Sequence, residues 1–179
     1  MNAFELTILD WVQANLRTAF GDAVLPVISR LGNAGVIWIV LCLALLLFRK
    51  TRKAGIAVAF ALIVDLIVTN GILKPLVDRV RPFALNPSVQ LLTTPPKDAS
   101  FPSGHTAAAA AAVTALFLQK SSLRWPACVL AALIAFSRVY LYFHYPTDVL
   151  GGAVIGILAG LAGSWIGNTV LQRKKMKHG

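Results

Sequence analysis

The sequence predicts an all-α integral membrane bundle of about five transmembrane helices, preceded by an N-terminal amphipathic helix. Three observations predict it. The 179 residues are 57% apolar and only 13% charged, with a mean hydropathy of +0.71, well outside the range of a soluble globule. The apolar residues fall in long runs separated by short connections. Ten of the 17 Lys and Arg residues lie in clusters at 49–53, 120–124 and 173–177, the pattern of cytoplasmic loops. A net charge of +10 would suggest nucleic acid in a soluble protein. Here the cations mark topology, and a nucleic-acid partner is not expected.

At this length one domain is expected over 1–179, divided into an N-terminal region 1–31, a transmembrane bundle 34–171 and a basic tail 172–179. Phe4, Ile8, Val12, Leu16 and Phe20 recur at helical spacing, with Glu5, Gln13 and Arg17 on another face. This predicts an amphipathic helix lying in the membrane interface rather than crossing it. Glu5 and Asp10 interrupt the apolar positions that a cleavable signal peptide would need. The first crossing is expected over 34–48 and is short for the roughly 20 residues a bilayer needs, so a start near Leu25 is an alternative. The second, over 54–73, delivers Lys74. Residues 84–101 read as a long loop with Pro87, Pro95 and Pro96, a length that is often functional. The third crossing begins at Ser103 and runs through six alanines to Gln119; the fourth covers 125–143 and the fifth 146–171. Cys42 and Cys128 fall inside apolar runs, so no disulfide is expected.

Three polar stretches interrupt this apolar background. Lys74 and Arg81 are seven residues apart, and a continuing helix would place them on one face. Taken alone, they read as cations reaching for the membrane boundary. In Pro102-Ser103-Gly104-His105, Ser103 suits a helix N-cap and Gly104 allows close backbone approach to a ligand. The free N–H groups of that helix start would bind an anion within reach of His105. Arg138 ends the fourth crossing, His144 follows, and Pro146 starts the next helix with Asp148 in its first turn. Asp148 can there accept from one ring nitrogen of His144 and leave the other nucleophilic. Alternating crossings bring all three stretches to one end of the bundle and the basic clusters to the other, so the positive-inside rule turns the polar end outward and the C-terminus to the cytoplasm. Three cations, two imidazoles and one carboxylate at a bilayer surface suit a phosphate group.

In order, Lys-x6-Arg-Pro, Pro-Ser-Gly-His and Ser-Arg-x5-His-x3-Asp resemble the three signature motifs of the type 2 phosphatidic acid phosphatase family. Eleven positions match: Lys74, Arg81, Pro82, Pro102, Ser103, Gly104, His105, Ser137, Arg138, His144 and Asp148. The resemblance implies that His144 is a nucleophile forming a phosphohistidine, that Asp148 orients it, and that His105 protonates the leaving oxygen. It further implies that Lys74, Arg81, Ser103, Gly104 and Arg138 hold the phosphoryl oxygens. No metal or other cofactor is expected, because three cations can neutralise the developing charge. The expected substrate is a lipid phosphate or diphosphate held among membrane lipids, with undecaprenyl diphosphate ahead of phosphatidylglycerol phosphate and phosphatidic acid. A lipid phosphotransferase would use the same motifs. An anion transporter would instead spread polar residues along several crossings, whereas only Asp65 lies deep. Asp65 is expected to pair with a polar group inside the bundle or to stay protonated. Gly152, Gly156 and Gly160 form a small-residue ridge expected to pack within the monomer.

Overall fold

A computed structural model describes residues 2–176, and all regular elements among them are helical. Lys177 and His178 of the basic tail lie outside the described residues. The helices are α1 (Asn2–Asn15), α2 (Ala19–Leu31), α3 (Val36–Leu47), α4 (Arg52–Asp65), α5 (Lys74–Val77), α6 (Pro82–Leu85), α7 (Gly104–Leu118), α8 (Arg124–Tyr140) and α9 (Pro146–Met176).

The N-terminal helix forms, and its polar side turns toward protein. Glu5, Leu9 and Val12 are buried, whereas Phe4 and Phe20 are 74% and 77% exposed. Leu9 packs with Tyr142 and Tyr145, and Gln13 donates to the carbonyl of Tyr140 at 2.8 Å. The predicted polar side therefore faces protein, because the polar end of the bundle supplies partners for it. Nor does one helix run to Phe20. The chain breaks after Asn15, and Thr18 caps α2 by accepting from the Gly21 amide at 3.0 Å. A 3-10 turn at Asn33–Gly35 then joins α2 to α3 with a bend of 49°.

The expectation of five crossings is met only in part. The runs Arg52–Leu85 and Pro146–Arg173 are long and apolar enough to span a bilayer, and the bent pair of α2 and α3 adds a third if it forms one broken span. At 15 and 17 residues, α7 and α8 fall short of the roughly 20 needed for a perpendicular crossing. Apolar side chains such as Leu43, Leu66, Leu150 and Trp165 cover the outside, an arrangement suited to lipid and costly in water. The chain is a membrane protein.

Packing inside is built on small residues. A Cβ added at Gly156 would stand 2.2 Å from the carbonyl oxygen of Ala107, and one at Gly163 would stand 2.2 Å from the backbone nitrogen of Ala61. The ridge thus faces α7 and α4 within the monomer, bringing these helices closer than side chains would allow. Trp38, Val58, Leu116 and Ile134 fill the core around it.

The second long run is not a uniform helix. Residues Leu66–Leu73 form a π-helix, in which the Lys74 amide bonds back to the Thr69 carbonyl. Such segments are rare and tend to occur at functional sites. Asp65, at the start of this segment, accepts from Thr69 Oγ1 at 2.8 Å, the internal polar partner expected for it.

Candidate active site

The helix carrying Lys74 stops at Val77, where Asp78 adopts a left-handed conformation (φ 41°, ψ 45°). This corrects the expectation that a continuing helix aligns Lys74 with Arg81. The two cations are brought together by a residue of the long loop instead. Asp98 receives Lys74 Nζ on one carboxylate oxygen and Arg81 Nη2 on the other at 2.8 Å. Arg81 Nε also donates to the Asp98 carbonyl at 2.7 Å. Burial works against the ionised Asp98 carboxyl, but the Lys74 hydrogen bond and charge, joined by Arg81, bring its pKa down to about 2.

The second stretch folds as its residues suggest. Ser103 is the N-cap of α7, with its Oγ accepting from the Thr106 amide. A Cβ built on Gly104 would lie 3.8 Å from Lys74 Nζ, so the bare backbone faces the cation. His105 Nε2 lies 2.9 Å from Asn33 Oδ1 in the turn between α2 and α3.

The third stretch closes the site. The buried Arg138 guanidinium donates through Nη1 to Ser29 and lies over the Phe143 ring, 4.9 Å from its centroid. Its Nε finds no partner among the described residues, which leaves a donor available to an anion. Asp148 sits in the first turn of α9, as Pro146 predicts. His144 is buried, with Nδ1 3.4 Å from Asp148 Oδ2 and Nε2 3.2 Å from Arg81 Nη1. Burial pushes the His144 imidazole down to about 3; the Asp148 hydrogen bond opposes this, while the charges of Arg81 and Arg138 add to it. The free ring is therefore neutral near pH 7. The Ser103 amide donates to the Asp148 carbonyl at 3.0 Å and ties the starts of α7 and α9 together.

All eight residues expected at the site are brought to one end of the bundle. Sequence reasoning missed Asp98, Arg79, Glu5 and Ser29. Asp98 could have been noticed as the one carboxylate in the 84–101 loop.

Two cavities meet at His105. One, of about 590 Å³, runs from Lys74, Asp98 and Gly104 down an apolar wall that includes Ile39, Leu43 and Leu62. Asp65 and Asn70 also line it, so Asp65 shares a cavity with Lys74 although it lies more than two helical turns away in sequence. The other, of about 170 Å³, is bordered by Ser29, Arg30, Asn33, Thr94 and Arg138. Three cations beside a neutral, oriented imidazole can bind a phosphoryl group and attack it.

Known proteins resemble this chain in sequence and fold. The chain is 34% identical over 131 residues to an undecaprenyl-diphosphatase of Sulfolobus acidocaldarius, covering 73% of this chain and 60% of that protein. It is also 34% identical over 131 residues to the undecaprenyl-diphosphatase BcrC of Bacillus subtilis, covering 70% of this chain and 65% of that one. The chain thus spans less than two thirds of either relative's length. The crystal structure of LpxE from Aquifex aeolicus superposes with a TM-score of 0.76 at 28% identity, covering 88% of this chain and 93% of that one. Residues 54–171, which hold all three polar stretches, match the PAP2 superfamily model, and the chain belongs to that family.

Proposed function

We propose that this protein is a metal-independent lipid phosphate or diphosphate phosphatase, with undecaprenyl diphosphate its first candidate substrate. The observation that carries this reading is that Lys74, Asp98 and His105 line the polar end of a 590 Å³ apolar cavity, while Asp98 links Lys74 to Arg81, Arg81 touches the His144–Asp148 pair, and Arg138 lines the smaller cavity that shares His105. The phosphate binds among the cations while the hydrocarbon chain follows Ile39 and Leu43 toward the lipid. Similarity to two undecaprenyl-diphosphatases supports the choice of lipid.

In the proposed reaction, His144 Nε2 attacks phosphorus and the bond to the leaving oxygen breaks. His105 supplies the proton that this oxygen takes up. A phosphohistidine results, its ring proton on Nδ1 facing Asp148. Water then attacks phosphorus, gives a proton to His105, and the P–N bond breaks to release inorganic phosphate and restore neutral His144. Lys74, Arg81, Arg138, Ser103 and the Gly104 amide stabilise the equatorial oxygens throughout. The smaller polar cavity on the other side of His105 suits water entry and phosphate exit. The basic clusters at 49–53, 120–124 and 173–177 of the sequence support an outward-facing site and a cytoplasmic C-terminus by the positive-inside rule.

Purified protein without added metal should release phosphate from a panel of lipid phosphates and diphosphates, fastest from undecaprenyl diphosphate. Release from none of them rejects the reading. Transfer of the phosphoryl group to an added lipid alcohol, with no free phosphate, would replace it with a phosphotransferase.

A further inference from the structure

Asp148 has two oxygens, and only Oδ2 faces His144. Oδ2 also accepts from Ser100 Oγ at 2.5 Å and from the Tyr145 amide at 3.0 Å. Oδ1 accepts from Arg79 Nη1 at 2.5 Å. Arg79 lies inside the first stretch at one of its unspecified positions, yet it is held as firmly as the matched residues. Its Nη2 donates to Glu5 Oε2 at 2.5 Å, and its guanidinium lies 3.9 Å over the Tyr145 ring. Glu5 in turn accepts from the Thr147 amide at 3.1 Å and from Thr147 Oγ1 at 2.5 Å. Glu5 comes from α1, outside residues 54–171, and is 4% exposed.

We infer that Glu5 and Arg79 are positioning residues for His144, acting through Asp148; the inference rests on the phosphatase reading above. The argument has a geometric half and an electrostatic half. Geometrically, Arg79 holds Oδ1 while Ser100 and the Tyr145 amide hold Oδ2, so the carboxylate cannot rotate and its face toward Nδ1 is set. Glu5 fixes both ends of this arrangement by gripping Arg79 and the neighbouring Thr147. Electrostatically, Arg79 alone would neutralise Asp148. Shared between two carboxylates, its charge leaves the Glu5–Arg79–Asp148 chain one unit negative. That negative charge faces the ring as it becomes positive on forming the phosphohistidine, which is when stabilisation accelerates the step. This role also gives a reason for the inward turn of the polar face of α1. A buried carboxylate is retained only where it is fully partnered, and here each partner touches the catalytic turn.

Glu5→Gln keeps the side-chain shape and the acceptor toward Thr147 but removes the charge. Its kcat should fall about 10-fold with KM within about twofold, the lower end of what losing an outer hydrogen-bond partner costs around metal-binding histidines. Arg79→Lys keeps the charge but cannot bridge both carboxylates, and should fall at least as far. Adding Glu5→Gln to Arg79→Lys should cost little more, because both changes break one chain of contacts. Nitrogen-15 histidine spectra, with His144 assigned by substitution, give a readout that needs no substrate. The parent should show Nδ1 protonated, and Arg79→Gln should show a mixture of tautomers. Parent kcat in Glu5→Gln, a change in KM alone, fully multiplicative losses, or an unaltered His144 spectrum in Arg79→Gln would each overturn the inference. Absence of phosphate release by the parent would reject the phosphatase reading alone, and the spectra would still decide the positioning role.

Discussion

Arg81 Nη1 stands 3.2 Å from His144 Nε2, the ring nitrogen that faces away from Asp148. A guanidinium can only donate, so Nε2 presents its lone pair to Arg81 and the ring proton resides on Nδ1. Arg81 and Asp148 therefore select the same tautomer from opposite sides, and it is the one a nucleophile needs. The contact also covers Nε2, so an incoming phosphoryl group has to take over the Arg81 donors before it can be attacked.

The depressed pKa of His144 sets a sign for acid stability. A free histidine protonates near pH 6.5, whereas folded His144 resists down to about 3. Below pH 6.5 the unfolded chain binds the extra proton, so this contribution is complete above 6.5 and is lost as pH falls toward 3. Asp98 acts in the same direction, its contribution present above about 3.8 and lost toward 2. The unfolding temperature in detergent, followed by tryptophan fluorescence, should drop between pH 6.5 and 4. His144→Asn should flatten that slope, and an unchanged slope would contradict a neutral buried His144.

The two histidines should fail differently. His144→Ala should lose nearly all turnover, whereas His105→Ala should be slowed about 10²–10⁴-fold, the range of general acid–base help. Asp148→Asn should also be slow, because the ring can adopt the wrong tautomer. Rapid quench with labelled substrate should trap an acid-labile, base-stable phosphoenzyme in the parent. It should persist in a His105 variant given a good leaving group. Label surviving in His144→Ala would move the nucleophile elsewhere.

Asp98 occupies the cations assigned to phosphate, so substrate must compete with an internal carboxylate. Asp98→Asn should tighten vanadate inhibition about tenfold, roughly 1.4 kcal/mol, the scale of one charge pair largely screened by water. Weaker inhibition would show that Asp98 instead holds Lys74 and Arg81 in their working positions.

Activity should survive excess chelator and fall with vanadate, which can mimic a five-coordinate phosphoryl group. The expectation follows from three cations being available to neutralise the transferring group. Activity lost to chelator and restored by Mg²⁺ would sink it.

Sidedness can be read by labelling. With the two native cysteines replaced, Ser88→Cys in the long loop should react with an impermeant reagent outside intact cells. Ser122→Cys, beside Lys120 and Arg124, should not. Reversed labelling would turn the site toward the cytoplasm.

Much of the site was legible because its residues sit at helix ends, where short-range rules operate. Ser103 caps α7, Pro146 opens α9, and Asp148 lies within one turn of His144, relations set by 3.6-residue periodicity and cap chemistry. Alternation of apolar runs likewise brought the three stretches to one end without any knowledge of packing. The tertiary structure decided what depends on contacts between distant segments. Asp98 reaches Lys74 and Arg81 from 24 and 17 residues away along an irregular loop, and no periodicity records that path. Glu5 meets Arg79 across 74 residues, and helical spacing alone could not show that the polar side of α1 finds its partners inside the protein. A helical pattern states which residues share a face, but only the partner opposite determines whether a polar face turns toward water or toward a buried charge.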